Sequence, residues 1–193
     1  MYSPLVFVAI SVVVASLHMI APDHWLPLTA LSLKRKYRKG RVLEISAFLG
    51  VLHGSTSVIL SLVALFLGLS FFGLNALKEV SIIVLAAVAI YILINVMRES
   101  KGSSNVENTS LVVSILPDPV LLPIIIASYP LGTGEVTAVG VTFIVASVLA
   151  LIAVVAVVTA GLAKSLSKLK PTTVDKVVVV ALALTAVYIY FFG

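Results

Sequence analysis

Residues 136–163 run without a single charged side chain, and five further runs, at about 4–33, 42–74, 79–97, 111–131 and 174–193, are nearly as apolar. About 20 apolar residues are enough to cross a bilayer as a helix. In lipid only the α-helix and the closed β-barrel satisfy every backbone hydrogen bond. A barrel strand must alternate between lipid and lumen, and stretches such as 141–163 show no alternation. The sequence therefore predicts an all-α integral membrane protein with six transmembrane helices. Its composition, 61% hydrophobic and 11% charged with a mean hydropathy of +1.21, excludes a water-soluble domain, which would be about a quarter charged. The absence of cysteine excludes disulfides, thiolate metal centres, iron–sulfur clusters and a thiol relay. The first run has no basic flank on its N-terminal side and contains Asp23 and two histidines, so it is expected to belong to the mature fold.

Orientation follows from the basic residues, which favour cytoplasmic loops. Lys34, Arg35, Lys36, Arg38, Lys39 and Arg41 crowd the first loop, Arg98 and Lys101 the third, and Lys164, Lys168, Lys170 and Lys176 the fifth. Only Lys78 falls on the opposite side. The expected location is thus a cell membrane, crossed several times, with both termini outside and the basic loop 34–41 cytoplasmic. The run 34–41 could also attract anionic lipid or nucleic acid; topogenic charge is sufficient to explain it, and no nucleic-acid partner is expected.

Six helices in this orientation divide into two halves of opposite topology, residues 1–98 and 111–193, joined by a polar linker at 99–110. Ala21-Pro22-Asp23-His24 in the first half is echoed by Leu116-Pro117-Asp118-Pro119 in the second. Each half opens with a proline-broken helix carrying a carboxylate at membrane depth, the pattern of transporters built from inverted repeats with a midplane site. Pro123 and Pro130 should kink the fourth helix further.

All three histidines, His18, His24 and His53, lie in apolar runs, with Asp23 beside His24. Ionisable groups at membrane depth cost free energy, face the bundle interior and are paired. On a straight helix His18, Asp23 and His24 would be scattered around the circumference. Pro22 cannot donate to the carbonyl of His18, and the resulting bend allows the three to converge. Imidazoles with a carboxylate suit Ni, Co, Zn or Cu(II) rather than Mg or Ca, and His53 on the second helix could complete the set. Asp118 is expected to be a further ligand, a proton carrier or a cap on exposed amides.

The segment His18-Met19-Ile20-Ala21-Pro22-Asp23-His24 resembles the His-x4-Asp-His signature of the nickel/cobalt transporter family. Leu52-His53-Gly54-Ser55-Thr56-Ser57-Val58 is similar to that family's second motif. The six-helix layout resembles the efflux branch of the family and, more distantly, the membrane thiol carriers of cytochrome biogenesis. The resemblance implies passage of Ni2+ or Co2+ with His18, Asp23, His24 and His53 on the metal path. The expected function is transport of a divalent transition metal by alternating access, with no enzymatic activity and no permanently bound cofactor, the metal being the transported ligand. The expected partners are the bilayer and the metal ion, and self-association is left open. Two other readings use the same residues: a membrane-embedded zinc-dependent enzyme, and a proton-coupled exporter of a non-metal substrate with the His-Asp set as relay.

Overall fold

A computed structural model describes residues 4–99 and 120–162, together with positions 180, 183 and 187. Among these residues the protein is helical and has no strand. Helix α1 spans Pro4–Ile20, α2 Pro22–Arg35, α3 Lys39–Glu99, α4 Leu121–Ser128 and α5 Thr133–Val157. A single 3-10 turn, Tyr129–Leu131, links α4 to α5, and a π-helical turn, Val158–Leu162, follows α5. Asp118 and the linker beyond Glu99 lie outside the described residues, as does most of the chain after 162.

Among the described residues two helical stretches are long and apolar enough to cross a membrane, Lys39–Phe71 and Thr133–Ala160, which is compatible with a membrane location. The sequence leads one to expect a turn near Lys78, but α3 passes through it as one helix of 61 residues. The physical reason is that Gly73, Asn75, Lys78 and Glu79 interrupt the apolar run there, and without proline none of them stops a helix. At 1.5 Å per residue α3 is about 90 Å long, roughly three times a hydrocarbon core of ~30 Å. Helix α4 has 8 residues, all but Leu122 buried, and Pro123 sits in its first turn, where the missing N–H is not needed.

Helix α5 packs against both α1 and α3, and α4 lies against α3. The contact between α3 and α5 depends on glycine. A Cβ built on Gly50 would lie 2.8 Å from Val148 Cα, and one on Gly54 would lie 2.9 Å from Ile144 Cα. The four-residue spacing puts both glycines on one face, so the two backbones meet there. On the far side of that contact, Gly140 of α5 sits opposite Val58. A hydroxyl pair, Ser11 Oγ and Thr142 Oγ1 at 2.9 Å, joins α1 to α5.

Helix α3 buries several polar side chains beside Val42, Leu49 and Leu65 while exposing large apolar ones. Ser46, His53, Ser57 and Ser61 are buried, while Phe48, Ile59, Phe66 and Phe71 are exposed, Phe71 by 77%. Two of the buried hydroxyls bond back along the helix: Ser46 Oγ donates to the Val42 carbonyl and Ser57 Oγ to that of His53, both at 2.8 Å, whereas Ser61 Oγ is buried with no partner among the described residues.

The connection from α2 to α3 is short and sharp. Tyr37 N–H donates to the Ser32 carbonyl at 3.0 Å, and Lys36 has φ +53 in the left-handed region. This is the helix-ending turn that usually places glycine at the left-handed position, and a lysine there costs roughly 1–2 kcal/mol.

Gly54→Ala should place a methyl group against the Ile144 backbone and cost about 1–3 kcal/mol through overpacking, lowering the unfolding midpoint of the detergent-purified protein. Gly134→Ala, where nothing lies within 4 Å of the added carbon, should leave the midpoint unchanged or raise it. Equal midpoints for the two variants would contradict the glycine-dependent contact.

Candidate metal centre

Helix α1 ends at Ile20 and α2 begins at Pro22. Proline has no N–H to give to the His18 carbonyl, and that carbonyl instead accepts from Ala21 N–H at 3.0 Å, closing a tighter turn. Ala21 is the single residue between the two helices. His24 N–H then donates to the Ala21 carbonyl at 3.4 Å, which leaves the Ile20 carbonyl without its usual helical donor. The indole of Trp25 supplies one, with Nε1–H donating to Ile20 O at 2.9 Å. Trp25 is thus a latch across the break, its ring buried against Met19, Leu28 and Val42 in one apolar cluster.

The break brings His18 and His24 together. In a continuous helix six residues separate these two by about 9 Å along the axis. In the structure the two Nε2 atoms are 3.0 Å apart, so a proton on one ring nitrogen can be donated to the other. His53 approaches from α3, where Gly50 and Gly54 on either side hold the helix close to α5. Its ring centroid is 4.9 Å from that of His24 and 5.5 Å from that of His18. His24 is 3% exposed and His53 1%, and His18 is half-buried.

Each imidazole offers one ligand nitrogen, and the three lie within 4.8 Å of one another, so the cluster could hold a metal ion. With metal–nitrogen bonds of about 2.0–2.1 Å, adjacent ligands stand about 2.9 Å apart at right angles and about 3.4 Å apart in a tetrahedron. The His18–His24 separation falls within that interval. The widest pair would have to close by at most about 1.4 Å for a tetrahedron and about 1.9 Å for ligands at right angles. Among the sequence-derived candidates, the three histidines meet. The backbone of Asp23 lies in the first turn of α2, but its side chain, like Asp118, is outside the described residues.

Trp25 escaped the sequence reading, although a signal was present: the chain's one tryptophan stands three residues after the helix-breaking proline, and a buried indole seeks an acceptor. Trp25→Phe keeps the ring's bulk and removes the donor. It should cost about 0.5–1.5 kcal/mol of stability, read as a lower midpoint in thermal unfolding. An unchanged midpoint would mean that the indole bond does not hold the break.

Comparison with known proteins found no family model, no curated protein and no solved structure that matches this chain.

Proposed function

We propose that the chain is an integral membrane carrier of a divalent transition-metal ion, Ni2+ or Co2+ being the best suited, which it binds through His18, His24 and His53. The observation that carries this reading is the meeting of three imidazoles, two of them buried, where apolar helices pack. Imidazole is a good ligand for these ions, and histidines on three separate helices, two of them buried, are costly to bring together without a function. Asp23 adjoins the cluster in sequence and supplies negative charge to the cargo, and Asp118 serves as a further ligand or proton carrier.

In this reading residues 1–98 and 111–193 form two inverted three-helix repeats, helices one and four are opened at their prolines, and one repeat moves against the other. Six spans require α3, one continuous helix in this structure, to turn back near Lys78 and cross twice, with Lys78 at the outer surface and the termini outside. The cysteine-free background makes this testable. A cysteine at Lys78 should react with an impermeant reagent added outside intact cells, and a cysteine at Lys36 only after permeabilisation. Labelling of Lys36→Cys from outside would overturn the orientation.

Purified protein in proteoliposomes should carry radiolabelled Ni2+ or Co2+ faster than Mn2+. His24→Ala should abolish that flux without loss of folded protein, because an imidazole at that depth is a cost to insertion. Coordination requires neutral imidazole, so equilibrium affinity should fall on acidification, by more than tenfold per pH unit where two or more rings must lose protons. Unaltered flux in His24→Ala, or affinity that stays flat from about pH 5 to 8, a range bracketing the reference imidazole titration, would refute the assignment.

One observation favours a second reading. The 3.0 Å His18–His24 contact is also what a proton relay would use, in an exporter of a non-metal substrate. Proton-coupled flux that needs no metal, and is lost in His24→Ala, would select it.

A further inference from the structure

At the end of the bundle away from the first turn of α1, the elements that form the α2–α3 connection line a second site, a pocket open to the surface on one side. A cavity of about 570 Å³ is lined by Thr29 and Ser32 of α2, Lys36 and Tyr37 of the turn, Lys39 and Val42 of α3, and Val158 and Thr159 beyond α5. Its size lies within the ~300–1,000 Å³ range of small-molecule pockets.

The chemistry of the wall selects the sign of the ligand. Lys36 and Lys39 are the charged groups on it, and neither pairs with a carboxylate among the described residues. The nearest acid on α3, Glu44, is taken by Arg41 at 3.0 Å. The hydroxyls of Thr29, Ser32 and Thr159 donate to carbonyls of their own helices, at 3.0, 2.8 and 2.8 Å. The donors left for a ligand are therefore the two ammonium groups, the Tyr37 phenol and the first amides of α3, which begin at Lys39 and lack partners within the helix. Helix ends carry only about half a charge each, so the two full lysine charges outweigh the carbonyl ends of α2 and α5 on the same wall. A divalent cation is repelled from such a cavity, and an anion with several oxygens is drawn to it.

We propose that this cavity binds a phosphate group carrying net negative charge, clamped between Lys36 and Lys39. The group can come from an anionic phospholipid, since the basic loop belongs at a membrane surface, or from a soluble phosphate. The left-handed backbone at Lys36 fits this role, because a strained lysine is kept where glycine would close the turn without strain. The site stands apart from the histidine cluster and does not depend on the metal reading.

The test uses the full-length protein in neutral detergent. Inorganic phosphate is titrated calorimetrically against an ionic-strength-matched chloride control. Phosphatidylglycerol and phosphatidylcholine are added separately, and retained lipid is counted by native mass spectrometry. Saturable binding of phosphate identifies a soluble ligand, and retention of phosphatidylglycerol alone identifies a headgroup; either supports the proposal. Lys36→Gln and Lys39→Gln should each weaken the bound probe by about tenfold or more. Lys36→Gly separates binding from folding: it relieves the backbone, so its unfolding midpoint without ligand should hold or rise while binding is lost. Absence of saturable binding by both probes overturns the proposal. So does binding that survives all three variants, which would reflect diffuse attraction to the basic loop.

Discussion

The close approach of α3 to α5 at Gly50 and Gly54 is the constraint on which the packing around the histidines depends. On α3 the buried face reads Val42, Ser46, Leu49, Gly50, His53, Gly54, Ser57, Ser61 and Leu65, rich in small and polar residues, and the exposed face carries phenylalanine, leucine, isoleucine and valine. Such a helix gains little by hiding hydrophobic surface from lipid-like surroundings, so its packing must come from close contact and hydrogen bonds. Glycines that admit a neighbouring backbone supply the first, and hydroxyls that bond back along the helix or across to the next supply the second.

The histidine cluster is one more result of the same arrangement. His53 is placed by glycines that serve packing, and His18 and His24 by a proline that breaks one bond and a tryptophan that replaces another. None of these supporting residues need touch an ion. They set the ring separations on which any chemistry at the cluster depends, which is why both packing and capping substitutions are informative about it.

Much of the site could be read from the sequence, because proline has a fixed consequence. A missing N–H at Pro22 has only one carbonyl to orphan, that of His18, and convergence of the flanking histidines follows from local geometry alone. The helical class followed as directly from uninterrupted apolar runs. The continuity of α3 was not legible, since a polar interruption such as Asn75 or Lys78 looks the same whether it lies in a turn or on a helix surface. The opposition of Gly50 to Val148 was hidden for another reason: register between helices nearly a hundred residues apart in sequence is fixed by side chains on both, and neither pattern specifies it alone. The lysine cavity combines both difficulties, as its wall is drawn from α2, α3 and the end of α5.

The single-residue joint at Ala21 gives α2 the geometry of a lever. His24 lies about 4.5 Å from that pivot and Arg35 about 21 Å from it, at the helical rise of 1.5 Å per residue. A rotation that shifts His24 by about 1 Å turns α2 through roughly 13° and carries its far end through nearly 5 Å. The mechanical gain is therefore more than fourfold, and it is delivered to the turn at 36–38. A rigid rotation of α2 about that joint would therefore displace the turn at 36–38 several times further than it displaces His24.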